Sequence, residues 1–195
     1  MSCQNTQDFC VALGETFAPI IRWGSDVLSS KAITAVSQAA PAVVTAAAHG
    51  VPDGWLVAVV GVAGMTQINT QNYPPRGTDW VKASLVDTNN VQLNKVSSAG
   101  YATYTSGGFL VFHTPVSLAG ATGIFTIWDA PVGGNVLATL TSSPAAGLTL
   151  NDTTKQILPV LATAALLWNT GYYRLDITDS TGVTTQVLSG TITIN

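Results

Sequence analysis

The sequence predicts an all-β chain in which one small β module is looped out of a β-sandwich, and three observations carry that expectation. Glu occurs once, at Glu15, and the residues that would build helices are displaced by Thr, Val, Ser, Gly and Asn, which suit strands and turns. Apolar runs are short and end at Gly, Asn, Asp or Pro, as strands bounded by turns do. Several runs alternate apolar and polar residues with period two, most cleanly Tyr172-Tyr-Arg-Leu-Asp-Ile-Thr178, the mark of a half-buried strand.

Taken in order, Phe9–Leu13 and Phe17–Trp23 read as two opening strands separated by Gly14-Glu-Thr16, with Gly24-Ser-Asp26 as a stop. Next come Ile33–Val36, Ala42–Thr45, a turn-rich joint at His49–Gly54, and the strongly apolar Trp55–Val62. Val81–Val86 and Val91–Asn94 flank the turn Asp87-Thr-Asn-Asn90 as a hairpin, and Phe109–Phe112 closes this set. The segment 71–79 contains Tyr73-Pro-Pro75; proline donates no hydrogen bond to a ladder, so an exposed loop is expected.

A second set follows Pro115: Gly123–Trp128, Asn135–Leu140, Leu148–Leu150, Gln156–Val160, Tyr172–Thr178, Val183–Leu188 and Gly190–Ile194. The single helical candidate is Ala162–Trp168, an Ala- and Leu-rich stretch of about two turns. The strands before Ser30 are too few to stand alone, since a lone hairpin is marginal in water. Their partners are expected after residue 115. Residues 1–30 and 115–195 would then form one discontinuous sandwich, with residues 31–114 inserted.

Charge limits the functions open to the chain. Charged residues make up 9% of 195 positions, against roughly a quarter in soluble domains, so much of the surface is expected to be hidden against partners. A net charge of −3 with scattered Lys and Arg lacks the basic patch that nucleic acid requires. Met1–Cys10 has no basic-then-apolar leader. The longest apolar stretches, 55–63 and 160–168, fall short of the roughly 20 residues of a membrane span, so no membrane is expected as a partner. Cys3 and Cys10 are too few for a disulfide framework; two reduced thiols are expected, a bridge between them being the alternative.

Catalysis needs converging groups of tuned acidity, and the candidates here read as structural. His49 sits in a Gly-Val-Pro-Asp-Gly turn, where pairing with Asp53 would orient a base, but a loop-capping histidine is the expected role. His113 ends a strand. His49, His113, Cys3 and Cys10 lack metal-ligand spacing, and Asp152, Asp176 and Asp179, weighed as calcium ligands, read as turn carboxylates. The chain has no nucleophile elbow and no phosphate-cradling loop. No enzyme activity, cofactor or metal is expected. Among the aromatics Trp55, Trp80, Tyr73, Tyr101 and Tyr104, Trp55 is expected in the core. Tyr73, Pro74, Pro75 and Trp80 are the candidate partner-contact residues, for protein in preference to carbohydrate.

Within the central region, Ile33-Thr-Ala-Val-Ser-Gln-Ala-Ala-Pro41, Ala48-His-Gly-Val-Pro-Asp-Gly54, Val59–Asn69, Val91-Gln-Leu-Asn94 and Tyr104-Thr-Ser-Gly-Gly108 resemble a small β module of bacteriophage tail proteins. That module is described as similar to the first catalytic cysteine half-domain of ubiquitin-activating enzymes. The likeness is one of fold, and residues 31–114 contain no cysteine to perform thiol chemistry. The flanks, through Gly14-Glu-Thr-Phe17, Ile21-Arg-Trp23, Val116–Ala121, Gly147–Asn151, Thr163–Trp168, Gly171–Leu175 and Leu188-Ser-Gly-Thr191, resemble immunoglobulin-like N-terminal modules of phage baseplate and tail-fibre adaptor proteins. Together the two likenesses imply an immunoglobulin-like sandwich with a small β-barrel-like insert. They imply a non-enzymatic virion component of the tail, baseplate or neck, a symmetric homo-oligomer contacting other virion proteins. A capsid decoration protein and a carbohydrate-binding receptor module are the alternatives. With no fibre domain after Asn195, an accessory or adaptor role is expected over that of an adhesin.

Overall fold

A computed structural model describes residues 6–195, and over them the chain is all-β, built from curled sheets in a sandwich-like arrangement. Over the described residues it divides into two units, residues 6–23 with 117–195, and residues 24–116. The opening strands are β1 (Phe9–Val11) and β2 (Thr16–Phe17). The second unit then holds β3 (Gly24–Ala32), β4 (Ala35–Val36), β5 (Ala42–Thr45), β6 (Leu56–Val60), β7 (Val81–Leu85), β8 (Asn90–Leu93) and β9 (Phe109–Pro115). The chain returns to the first unit as β10 (Thr122–Trp128), β11 (Val136–Ser142), β12 (Ala145–Ala146), β13 (Leu148–Asn151), β14 (Gln156–Pro159), β15 (Leu161–Ala162), β16 (Thr170–Thr178) and β17 (Thr184–Ile194).

In the first unit a six-stranded sheet runs β1-β17-β16-β10-β11-β12. Strand β1 lies parallel to β17, with Phe9 opposite Ile192. Facing elements complete the sandwich: the β13–β14 hairpin, the β2–β15 pair, and a bridge between Ile21 and Ile157. Alternation along β10 and β16 sends Phe125, Ile127, Tyr173, Leu175 and Ile177 inward, where each is at most 2% exposed. Phe125 stacks on Tyr173 with ring centres 4.8 Å apart. The Tyr173 hydroxyl donates to the Gln7 carbonyl at 2.7 Å, and burial, assisted by the nearby Asp8 carboxylate, raises its pKa well above that of free tyrosine.

The second unit is one curled seven-stranded sheet, β3-β9-β6-β7-β8-β5-β4. Its concave side closes on Val44, Val57, Val59, Met65, Leu93, Leu110 and Phe112, and Trp55 joins that core as expected. The β7–β8 hairpin pairs Ala83 with Leu93. Asp87 fastens its turn by accepting from the Asn89 amide at 2.7 Å and from the Asn90 side chain, contacts that hold the carboxyl below its ordinary range.

Two expectations need correction. Gly24-Ser-Asp26 does not stop a strand; it begins β3, which pairs with β9 from Gly24↔Pro115 to Ala32↔Phe109. Residues 24–30, assigned above to the sandwich, therefore belong to the other unit, and the crossings lie at 23/24 and 116/117. Gly24 is suited to this place because a Cβ there would come within 2.9 Å of the His113 Cβ, so backbone and histidine can approach only without a side chain. The second correction is Ala162–Trp168, in which Ala162 ends β15 and residues 163–168 form an irregular turn segment and not a helix. Buried Thr163 is held by the 12–15 loop, its hydroxyl accepting from the Gly14 amide at 3.0 Å. Two turns of good helix formers do not offset that tertiary anchoring, because short helices are marginal by themselves. Among the described residues, helix is confined to single 3-10 turns at Thr66–Ile68 and Gly77–Asp79, and no helix is long and apolar enough to cross a membrane.

Candidate functional site

The loop joining β6 to β7 brings the four expected contact residues to the second unit's surface in unequal degrees. Tyr73 is 74% exposed, Pro74 is exposed, Pro75 is buried and Trp80 is half-buried. Only the first two are therefore fully available to a partner. The loop is held from inside by Asp79, 8% exposed, whose carboxylate accepts from the Gln71 amide at 3.1 Å, the Asn72 side chain at 2.9 Å and the Arg76 amide at 2.9 Å. These donors, with the Arg76 amide foremost, hold the Asp79 carboxyl below its ordinary range. Trp80 packs against His113, ring centres 5.0 Å apart.

Tyr73 lines a groove of about 530 Å³ with Ser30, Val60, Gly61, Phe109 and Val111. The groove lies on the sheet side facing away from the core: Leu110 and Phe112 point inward, so Phe109 and Val111 point outward. In register beside them are Val60 and Ala58 of β6. Phe109 is 48% and Leu56 is 51% exposed on that side, while Val111 is nearly covered. A second apolar face of this kind is unusual for an antiparallel sheet, which normally turns a polar face outward.

Phe109 and Val60 did not stand out in the sequence, although a signal was present. Leu56-Val-Ala-Val-Val60 and Phe109-Leu-Val-Phe112 are continuous apolar runs, and an uninterrupted run puts apolar side chains on both faces.

The two histidines serve the backbone. His49 is 1% exposed; its Nδ1 accepts from the Val51 amide at 2.9 Å and its Nε2 donates to the Asp87 carbonyl at 2.9 Å. Asp53, the partner weighed for it, accepts instead from the Leu85 amide at 2.9 Å. His113 donates from Nδ1 to the Ser25 carbonyl at 2.8 Å, and its own carbonyl accepts from the Trp55 indole at 2.9 Å. Both ring nitrogens of His49 are thus engaged with the backbone, as is Nδ1 of His113.

The acidic turns are occupied in the same way. Asp152 takes the Lys155 ammonium and the Leu118 amide, and Asp179 takes the Thr181 hydroxyl and the Val183 amide. Both carboxyls are held below their ordinary range by these donors. Asp176 accepts from Arg174 at 2.7 Å. No group of three or more potential metal ligands occurs among the described residues. Cys10 is exposed, and the pairing considered for it with Cys3 lies outside the described residues.

No protein-family model matches the chain, and no curated protein matches it.

Proposed function

We propose that the chain is a non-enzymatic structural component of a bacteriophage virion, in the tail, baseplate, neck or a fibre adaptor, acting by packing against other virion proteins and copies of itself. The observation that carries the packing role is the outward apolar face of the second unit, where Val60, Tyr73 and Phe109 line one groove and Leu56 is exposed further along β6, in a chain with only 9% charged residues. Contiguous exposed apolar surface on a charge-poor chain favours association over free solution. Strands β3 and β4 end the same sheet with one side unpaired among the described residues, and strand edges recruit neighbours unless covered. The occupied nitrogens of His49 accord with a role without chemistry. The resemblance of both modules to phage tail and baseplate proteins supports the virion placement.

The test is mass spectrometry with cross-linking on purified phage particles, paired with sedimentation of the purified chain. The expected outcome is recovery of the chain in the particle, cross-linked to neighbours, and a multimer in solution. A strictly monomeric chain absent from particles would sink the proposal.

A further inference from the structure

The six-stranded sheet of the first unit carries a cleft of a different character. It encloses about 490 Å³ on the solvent side, between the β10–β11 turn and strands β16 and β17, within the range of about 300–1,000 Å³ typical of small-molecule sites. Its lining includes Trp128, Tyr172, Arg174, Gln186, Ser189 and Thr191. Because Ile127 and Tyr173 point into the core, their neighbours Trp128 and Tyr172 point outward. The register sets Trp128 opposite Tyr172, Tyr172 opposite Thr191 and Arg174 opposite Ser189. Two aromatic side chains thus stand on the solvent side of a sheet whose core does not use them, beside a row of hydroxyls.

The arginine at the centre is held in place. Its Nε donates to the Asp176 carboxylate at 2.7 Å, and its guanidinium carbon lies 5.7 Å from the Trp128 ring centre, a distance at which a cation is attracted to the ring. With Nε engaged, the terminal amino groups of the planar fork have no hydrogen-bond partner among the described residues and remain as paired donors. The β10–β11 turn is fastened by Asp129, which accepts from the Asn135 amide at 2.8 Å and the Asn135 side chain at 3.0 Å, so that wall is formed before any ligand arrives.

We infer that this cleft binds a neutral saccharide. The pairing of Arg174 with Asp176 compensates charge, which favours an uncharged ligand over an anion. A pyranose matches the remaining chemistry. Its C–H face stacks on the Tyr172 ring, vicinal hydroxyls accept from the two terminal amino groups of Arg174, and Gln186 and Ser189 complete the polar fringe, the Thr191 hydroxyl being taken by Asp8 at 2.7 Å. Trp128 is a positioning residue that holds the guanidinium. The inference is independent of the virion placement and of the apolar groove on the other unit.

The test titrates the whole chain with maltotetraose, cellotetraose, chitotetraose, lactose and mannotetraose, following binding by calorimetry and by amide chemical shifts. At least one is expected to bind, with shifts confined to residues of this cleft. Tyr172→Ala and Arg174→Ala are each expected to weaken binding about tenfold or more, the loss of stacking or of charged hydrogen bonds being worth that much. Arg174→Lys, which keeps the charge but not the fork, is expected to weaken it as well, with near-UV circular dichroism confirming that each variant is folded. Trp80→Ala is expected to leave binding unchanged. No binding of any of the five at about 10 mM, binding indifferent to Tyr172 and Arg174, or binding abolished by Trp80→Ala would each overturn the inference.

Discussion

The outward faces of the two main sheets differ in what they ask of a partner. On the second unit, β9 and β6 present Phe109, Val60 and Leu56, and the polar fringe is thin. On the first unit, β16 and β10 present Arg174, Asp176 and Thr126 among the exposed Ile124 and the rings of Trp128 and Tyr172 at equivalent outward positions, a mixed and more polar face. Both sheets bury aliphatic and aromatic cores of similar make-up, so the difference lies wholly on the side that folding leaves open. An apolar face loses nothing by being covered with protein, whereas a face of hydroxyls and a guanidinium must have each hydrogen bond replaced on being covered. Fold stability and partner chemistry are thus written in alternate residues of the same strands.

The largest expected effect separates the two cores. Phe125→Ala removes a fully buried ring stacked on Tyr173 and is expected to destabilise the first unit by about 3–5 kcal/mol. Denaturant unfolding followed by near-UV signals should show that transition move while the second unit's holds; a uniform shift of both would mean that the two cores do not respond separately. Gly64→Ala strains the second unit instead. Its φ is +78° and a Cβ there would fall 2.3 Å from the Thr103 carbonyl oxygen, so a loss of about 1–3 kcal/mol is expected in that unit's transition. His49→Ala acts in the same unit by leaving the Val51 amide and the Asp87 carbonyl without partners, for about 1–3 kcal/mol, read from the same curves.

A smaller effect tests the faces. Phe109→Ser on the apolar side is expected to change stability by no more than about 0.5 kcal/mol while shifting sedimentation toward the monomer. If the multimer persists unchanged, the apolar face is not the contact.

The smallest effect is one of pH, and it is shared. Asp79 and Asp87 in the second unit, and Asp8, Asp152 and Asp179 in the first, are all held below the ordinary carboxyl value of 3.8 by hydrogen-bond donors. A carboxyl depressed in the folded state contributes stability that is present above that value and is lost as pH falls through the folded one. Unfolding midpoints measured from pH 6 down to 3 are therefore expected to hold and then drop below about pH 4 in both units. A fall confined to one unit would show that the clamps of the other contribute nothing.

Much of the strand layout was legible because period-two alternation and turn residues are local signals. Tyr172–Thr178 alternates in sequence and in burial alike, and the Asp87–Asn90 turn sits between the strands expected to flank it. The exposed part of the candidate surface was legible too, since Tyr73-Pro74 cannot join a ladder. What escaped were features in which a distant partner outweighs a local preference: Gly24 reads as a stop until β9 pairs with it, Ala162–Trp168 reads as helical until Thr163 is anchored, and Pro75 reads as exposed until Asp79 draws the loop inward.

By itself, then, the sequence determined an all-β chain, the positions of most strands and a shortage of charge, because propensity, alternation and composition act over a few residues. Only the tertiary structure decided that β3 pairs with β9, that Trp80 rests on His113, and that Phe109 meets Tyr73 on one face while Arg174 meets Trp128 on another. Those meetings join positions far apart in the chain, and only strand pairing and register bring them within reach.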